Sequence, residues 1–433
     1  MSVYQSLKQR SFFLFLTVLI TGALFSHQSI ANPLSGQALY SDVIAYANFG
    51  EHRTGSLADQ KTSQWVQQSL LDEGVDASFQ TFELQQYFPI QNELIVAKKS
   101  IAVFPHWFPR PTGKPITAPF KPLHEADLSG AIAYLGPEFA GLWYRVDVSA
   151  LAQQAAEKGA LALVVAVPHP SGEIYVRNAA EPWLQAELPI PTAVVAKSAD
   201  STITKALKNN EQAILTLKGN VSLNAQAHNV IGTLKRGDRW IVVSTPISGW
   251  FQAAGERGGG LALFLGLARW LSTVESDHSI LFIANSGHEL SYMGAQQSMR
   301  SLPSSEKVDL WLHLGASIGA RRWRETAEGL QPLEQVHEYN VLFSHPRWLP
   351  TAERAFREVD DLTVASTEQL PPENGELVHF IERGYPAMGM VGSHRFFHTP
   401  RDLPDVTSEQ LLEPYGKAVQ RLMEEALGVS SKK

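Results

Sequence analysis

The chain has 433 residues, of which 44% are hydrophobic, and a formal net charge of -7. This length predicts about two or three domains with ordinary hydrophobic cores, and the absence of basic clusters argues against a nucleic-acid or anionic-membrane partner. Because cysteine is absent, any bound metal must be held by His, Asp or Glu, and no disulfide can form.

Residues 1–31 have the pattern of an export signal. Lys8 and Arg10 supply the positive start, residues 11–25 are apolar, and Ser29-Ile30-Ala31 is a cleavage site of small residues. The apolar segment is shorter than the roughly 20 residues of a membrane-spanning helix, which makes a membrane anchor the less favoured alternative. We therefore expect a periplasmic or secreted protein without a membrane span after signal removal.

The next predicted elements are helices, followed by a connecting segment. Ser56 is a capping residue ahead of hydrophobic side chains that recur at helical spacing, and Gly74 ends this pattern. From Pro105 to Pro122 the sequence is rich in proline and aromatic residues, which favours a connection rather than a strand or helix. We place a domain boundary there.

A smaller insert is predicted after this boundary. Short apolar segments at 131–135, 160–166 and 190–195, with a helix-like segment at 148–158, indicate alternating strands and helix. The pattern predicts a small α/β or β-rich unit that ends near Lys218.

From Asn229 onward the pattern changes to full-size α/β units. Residues 240–245 and 279–284 are predicted to be buried strands separated by an amphipathic helix. The capping signal Thr407-Ser408-Glu409-Gln410 predicts the start of a last helix that ends at Gly428.

In open α/β sheets, ligands bind beyond the carboxyl ends of the strands. The segments at such ends here are 244–250, 284–290, 313–317 and 397–402.

Each polar residue at these strand ends has both a structural and a functional interpretation. A buried carboxylate at Glu289 needs a partner, so a structural ion pair or cap and a metal ligand both remain open, and His398 on another strand end makes the metal interpretation competitive. His288 is either a general base or a partly exposed loop residue. His313 is predicted on the strand face opposite its leucine neighbours, where a hydrogen-bonded core histidine is slightly favoured.

The segment Gly255-Glu256-Arg257-Gly258-Gly259-Gly260 opens a predicted helix, where backbone N–H groups can bind an anion. It lacks the phosphate-loop Lys-Ser/Thr and the Rossmann spacing, which argues against nucleotide binding. The Gly-x-Ser-x-Gly motif of serine hydrolases is also absent.

Across most of the chain after residue 31, the sequence resembles the zinc exopeptidase superfamily, metallopeptidase family 28, which contains aminopeptidases and glutamate carboxypeptidases. The segments that carry this resemblance occur in the expected order: Arg53-Thr54-Gly55-Ser56, His228-Asn229-Val230-Ile231-Gly232, Gly287-His288-Glu289-Leu290 and Phe397-His398-Thr399-Pro400-Arg401-Asp402. Residues from about 122 to 220 are similar to a protease-associated domain, chiefly in Asp127-Leu128-Ser129-Gly130-Ala131-Ile132 and Ala155-Ala156-Glu157-Lys158-Gly159-Ala160.

The resemblance implies an α/β fold. Its expected form is a mixed-sheet zinc-exopeptidase core, phosphorylase/hydrolase-like, with helices on both faces and a smaller, β-rich α/β protease-associated insert. Residues 32–104 and 223–433 are assigned to the core, and residues 105–222 to the insert.

Family members usually bind two zinc ions, and the resemblance implies at most one zinc ion here. The ligands of one zinc correspond to Glu256, Glu289 and His398, all with coordinating side chains, as in the one-zinc glutaminyl cyclases of the same superfamily. The other zinc loses its first His, and the Asp of that segment corresponds to Ser248. Three protein ligands with an open position are typical of a catalytic zinc.

The catalytic positions differ as well. The general-base Glu of the family corresponds to His288, and the Asn after the bridging Asp corresponds to Arg257, whose charge opposes a bound cation. The later Asp corresponds to Gly315 or, in a shifted alignment, to His313.

These features leave alternative functions open. The first is an exported hydrolase or acyl-transfer enzyme that acts on a peptide or an amino-acid-derived small substrate, with at most one zinc and with His288 moving protons. The second is a binding or scaffold protein of the cell envelope that has lost catalysis. The third is a metal-free enzyme with an acid–base site formed by Glu256, Arg257, His288, His313 and His398.

Overall fold

The computed structural model describes residues 32–139, 144, 146–179, 187–371 and 375–429. The predicted export signal lies outside these ranges, and Asn32–Lys433 forms one compact unit. Among the described residues, every helix is too short or too polar to cross a membrane.

The helices lie mostly at the two ends of the chain and between strands. In chain order they are α1 (Gly36–Ala47), α2 (Leu57–Asp72), α3 (Val148–Glu157), α4 (Asp200–Lys208), α5 (Gly259–Thr273), α6 (Met293–Ser298), α7 (Leu349–Phe356), α8 (Leu377–Glu382) and α9 (Glu409–Leu427).

The strands follow the same numbering along the chain. They are β1 (Asp76–Val96), β2 (Lys99–Ile101), β3 (Val103–Pro105), β4 (Ile116–Pro122), β5 (Ile132–Leu135), β6 (Ala162–Ala166), β7 (Thr192–Val195), β8 (Gln212–Leu234), β9 (Arg239–Pro246), β10 (His278–Asn285), β11 (Val308–His313), β12 (Arg321–Thr326), β13 (Gly329–Val336), β14 (Asn340–Ser344), β15 (Thr363–Ser366) and β16 (Ala387–Gly392).

One mixed sheet of 14 strands runs through the described structure in the order β15-β14-β16-β11-β9-β10-β8-β4-β5-β6-β7-β3, with β1 paired to β8 and to β2. Strands β10, β9, β11 and β16 are parallel neighbours, whereas β8 and β14 flank them in the antiparallel direction. Strands β12 and β13 form a separate hairpin.

Helices cover both faces of the parallel part of the sheet. Ile241 and Val243 of β9 pack into the core cluster that contains α1, α5 and α9, whereas Val242 packs into the cluster that contains α6 and α8. This alternation follows from the two-residue period of a strand. The predicted α/β fold with helices on both faces is therefore confirmed.

Residues predicted to form the insert contain three parallel strands, β5, β6 and β7. Helix α3 packs on one of their faces and α4 on the other. The long ribbon of β1 and β8 pairs continuously from the core into this region, and β8 passes through the predicted limit at residue 222. The assignment of 105–222 as a protease-associated insert stays a prediction.

The prediction that residues 105–122 lack a strand was wrong at the end of this segment. Ile116–Pro122 forms β4, which pairs with β8 over its first half and with β5 over its second half. Ala118 and Phe120 are buried in the core between these partners. Prolines are tolerated in this interior strand because β4 changes its pairing partner near Pro119. At the point where the pairing with β8 ends, the missing N–H of a proline removes no hydrogen bond between strands.

Candidate active site

The predicted site residues gather at the carboxyl ends of the parallel strands. His313 is the last residue of β11, His288 and Glu289 follow β10, and Ser248 follows β9. His398 comes from the loop after β16. These polar side chains therefore lie at the sheet edge that was predicted from the sequence. All of them are buried.

Glu289 accepts hydrogen bonds on both of its carboxylate oxygens. Its Oε1 accepts from the backbone N–H of Thr54 at 2.7 Å and from Thr54 Oγ1 at 2.6 Å. Its Oε2 accepts from Ser248 Oγ at 2.7 Å. Ser248 also accepts from the backbone N–H of His288, so the β9 and β10 loops are tied together through this carboxylate.

Glu256, Arg257 and His398 form a buried, charged cluster. Glu256 Oε1 accepts from Arg257 Nη2 at 2.5 Å and contacts His398 Nε2 at 2.9 Å. The exposed fractions of the three side chains are 2%, 1% and 5%. Burial alone would raise the pKa of Glu256, but Arg257 and His398 outweigh it and lower this pKa to about 2. The carboxylate is therefore ionised in the folded protein.

These residues do not fit a zinc ion. Among the described residues, no three His, Asp or Glu side chains are arranged to hold a metal. The predicted ligands Glu256 and His398 bond to each other, with a guanidinium already on Glu256, and both oxygens of Glu289 accept hydrogen bonds. A second cation beside Arg257 would be repelled, and we therefore assign no catalytic step to a metal.

A cavity of about 620 Å³ opens above this cluster. Histidines, tyrosines and one buried carboxylate line it, together with backbone of the β11 and β16 ends: Tyr144, Tyr175, Asn178, His288, Tyr292, His313, Tyr339, Glu376, Phe397 and His398 among others. The lining includes His288, His313 and His398 but not Glu256, Arg257 or Glu289. The predicted site residues thus divide into a cavity wall and a layer beneath it.

His288 is paired with Glu376, a residue that the sequence analysis did not select. His288 Nδ1 lies 3.0 Å from Glu376 Oε1, and Asn285 donates to Glu376 Oε2 at 3.3 Å. Burial would raise the pKa of Glu376, but the hydrogen bond from His288 outweighs it and the pKa is lowered. An ionised carboxylate only accepts, so His288 carries its proton on Nδ1 and leaves Nε2 as a free acceptor.

His288 is neutral at pH 7 in this setting. Burial lowers its pKa below the ordinary 6.5, as does the charge of Arg257, and the hydrogen bond to Glu376 opposes this only in part. A neutral imidazole whose Nε2 accepts protons is the form that acts as a general base.

His313 has the opposite tautomer. Its Nδ1 lies 2.9 Å from Ser244 Oγ, and Ser244 Oγ accepts from Trp311 Nε1 at 2.7 Å. The Ser244 hydroxyl then donates to Nδ1, which leaves the His313 proton on Nε2. Burial lowers the pKa of His313 to about 4, so this ring stays neutral and offers a donor. It is both the hydrogen-bonded core histidine and a cavity residue.

Glu376 and Thr54 are the important partners that sequence reasoning missed. Glu376 precedes α8 without any motif, and only the fold brings it to His288 across 88 positions of chain. Thr54 lies in the Arg53-Thr54-Gly55-Ser56 segment that carried the family resemblance, so the sequence could have indicated that this position belongs to the site. The sequence could not indicate that Thr54 contacts Glu289.

The hydrogen bond from Thr54 to Glu289 gives a stability prediction. We expect Thr54→Val to lower the free energy of unfolding by about 1–3 kcal/mol, because a buried carboxylate loses a hydroxyl donor while the side-chain shape is kept. Thr62→Val is the matched control, since the buried Thr62 hydroxyl has no hydrogen-bond partner among the residues that the structure describes. Urea unfolding of both variants checks this, and equal effects would contradict it.

Buried neutral histidines predict loss of stability in acid. Burial lowers the pKa of His52, His106 and His169 to about 3 and that of His313 to about 4. These pKa values lie below the unfolded value of 6.5, so the unfolded chain binds more protons between pH 6.5 and about 4. Stability is therefore present above pH 6.5 and is lost as the pH falls, by about 1.4 kcal/mol per pH unit for each such histidine.

Asp59 acts in the opposite direction, because burial raises its pKa to about 8 and its protonation favours the folded state in acid. Urea unfolding between pH 7.5 and 5 measures the net slope, and His52→Phe should make it shallower by about one proton. A stability that rises on acidification to pH 5 would show that the aspartate dominates.

Comparison with known protein sequences gives one family match. Residues 229–423 match the sequence model of peptidase family M28. No curated protein sequence matches the chain significantly.

Solved structures of peptidases share this fold. BSAP, a zinc aminopeptidase from Bacillus subtilis, matches with a TM-score of 0.70 and 20% identity, over 93% of this chain and 97% of that chain. The peptidase M28 precursor from Shewanella amazonensis matches with a TM-score of 0.67 and 15% identity, over 93% and 98%. An aminopeptidase from Aneurinibacillus sp. strain AM-1 matches with a TM-score of 0.58 and 17% identity, over 91% and 94%.

These structural likenesses establish the fold, and the sequence match covers strands β9, β10, β11 and β16, together with the loops that carry Glu289 and His398. Residues 229–423 therefore form a segment that matches peptidase family M28, within a chain that shares the fold of these peptidases.

Proposed function

We propose that the protein is an exported, peptidase-like hydrolase that cleaves a peptide-like amide bond in the 620 Å³ cavity, with His288 as general base and without a resident metal. The observation that carries this proposal is the His288–Glu376 pair at the cavity wall. The match of residues 229–423 to a peptidase family model favours hydrolysis of peptides or amino-acid derivatives.

The geometry supports an acid–base mechanism. His288 Nε2 is positioned to take a proton from a water molecule in the cavity as that water attacks the carbonyl carbon. Glu376 fixes the tautomer and stabilises the imidazolium that forms, as a carboxylate does when it orients a catalytic histidine. The proton then passes from His288 to the leaving nitrogen.

His313 is suited to the developing oxyanion. Its Nε2–H is a neutral donor on the same cavity wall, and donors fixed before reaction stabilise the charge that develops on the carbonyl oxygen. The ring is kept neutral by its lowered pKa, so this donor adds no further charge beside Arg257.

The aromatic residues suit an amino-acid-derived substrate. Tyr144, Tyr175, Tyr292, Tyr339 and Phe397 face the cavity with the histidines. Such rings bury the apolar part of a side chain, while their hydroxyl groups accept or donate hydrogen bonds. We include export in the proposal because of the signal-like pattern of residues 1–31.

Binding without catalysis is the second candidate. The hydrogen-bonded Glu289 and the ion-paired Glu256 favour it, because both carboxylates correspond to metal ligands in the family and both are engaged by protein donors here. In that case the cavity would hold a peptide or small ligand without turnover.

One experiment distinguishes the two. The purified protein is incubated with a panel of aminoacyl and dipeptidyl amides, including N-terminal glutamine compounds, alongside His288→Asn. The control variant is His379→Asn, whose ring contacts Tyr292 but does not line the cavity. The enzyme proposal expects turnover that only His288→Asn abolishes. Saturable binding without turnover in all three proteins would support the binding protein instead.

A further inference from the structure

Arg257 is hydrogen-bonded directly to Glu256 and is connected to Glu289 through Ser248. Its Nη2 donates to Glu256 Oε1 at 2.5 Å, and its Nε donates to the carbonyl oxygen of Ser248 at 3.0 Å. The hydroxyl of the same Ser248 donates to Glu289. The guanidinium therefore contacts Glu256 directly, and a single residue, Ser248, connects it to Glu289.

The other member of the cluster, His398, also has both ring nitrogens engaged. Nδ1 contacts the carbonyl oxygen of Val176 at 2.9 Å, and Nε2 contacts Glu256 Oε1 at 2.9 Å. A carbonyl and an ionised carboxylate are both acceptors, so the imidazole donates from both nitrogens. Glu256 Oε1 is thus in contact with two nitrogen atoms, Arg257 Nη2 and His398 Nε2.

An arginine in this position is unusual for a purely structural residue. Its side chain is 1% exposed, and Nη1 is buried without a hydrogen-bond partner among the described residues. Taking a guanidinium out of water costs several kcal/mol unless its charge is compensated, and here the buried carboxylate of Glu256 compensates it.

We propose that Arg257 is a built-in cation that takes the place of a metal ion at this centre, and that removal of its charge opens the centre to zinc. This inference concerns the layer beneath the cavity and stands whether or not the protein is an enzyme. Zinc would take its ligands from Glu256 and His398, whose ligand atoms already contact each other.

The spacing of the two residues agrees with this exchange. Ligand atoms at zinc bond lengths of about 2.0–2.2 Å and a tetrahedral angle lie about 3.3 Å apart. Glu256 Oε1 and His398 Nε2 are 2.9 Å apart, so a small outward movement would admit the ion once the guanidinium has gone.

The test is zinc binding itself, measured by calorimetric titration with zinc and by elemental analysis after gel filtration. Wild type and Arg257→Lys keep the cation, and we expect no zinc retained in either. Arg257→Asn should retain about one equivalent of zinc and should melt at a higher temperature when zinc is added. The double variant Arg257→Asn, His398→Ala should lose this binding.

Each outcome decides the proposal. Stoichiometric zinc in the wild type would overturn it, as would an Arg257→Asn protein that folds but binds no zinc. If Arg257→Asn folds only in the presence of zinc, the metal has replaced the arginine and the proposal is supported. If it folds under neither condition, zinc does not replace the arginine and the proposal fails.

Discussion

The His288→Asn variant is expected to hydrolyse substrate about 10²–10⁴-fold more slowly than wild type, the usual contribution of a general base. Asparagine keeps a polar group near Glu376 but has no nitrogen that accepts a proton at neutral pH. The fall should appear in kcat, because the variant removes a proton transfer rather than a binding contact. Steady-state kinetics on the best substrate of the panel measure it.

The pH dependence gives the same assignment a second test. The base must be neutral, and the pKa of His288 is lowered from 6.5, so the rate should fall only at pH values below 6.5. Glu376 raises the pKa of His288, and Glu376→Gln should therefore move this acid limb to still lower pH while reducing kcat. An unchanged limb, or full activity in His288→Asn, would assign the base to another residue.

Replacing Glu256 by methionine is expected to have the largest effect on stability, a loss of about 3–5 kcal/mol in the free energy of unfolding. The change leaves the guanidinium of Arg257 buried without its carboxylate. The double variant Glu256→Met, Arg257→Met removes both charges and should recover most of the loss, because an apolar pair replaces a buried ion pair with little penalty. Urea unfolding measures all of these proteins.

The matched control is an exposed ion pair. Arg110 and Glu187 are 3.0 Å apart with side chains 59% and 47% exposed, so Glu187→Met should cost at most about 1 kcal/mol. A Glu256→Met protein as stable as Glu187→Met would show that the buried cluster contributes little to folding.

The fold was predictable wherever the sequence pattern is local. The capping signal before Glu409 and the apolar face that follows predicted α9, which begins and ends at the expected residues. Helix α3 and strands β5, β6 and β7 were predicted on the same grounds. Strand β4 was missed because its pairing with β8 and then β5 is long-range, and its prolines point to a connection in any local analysis.

The location of the site was predictable from the sequence, but the contacts between its side chains were predictable only in part. The strand-end rule located Glu289 and His398, and the resemblance assigned them to one metal together with Glu256. The structure instead joins Glu256 to Arg257 and His398, while Thr54 and Ser248 bind Glu289. These hydrogen bonds depend on side chains from distant segments, which no single motif encodes.

The most direct test of the account is the metal dependence of hydrolysis by the wild-type protein. Turnover of the best substrate is measured after dialysis against a chelator, and again after addition of one equivalent of zinc. A base formed by His288 and Glu376 predicts the same kcat in both samples. Loss of turnover on chelation, with recovery on addition of zinc, would contradict the metal-free mechanism.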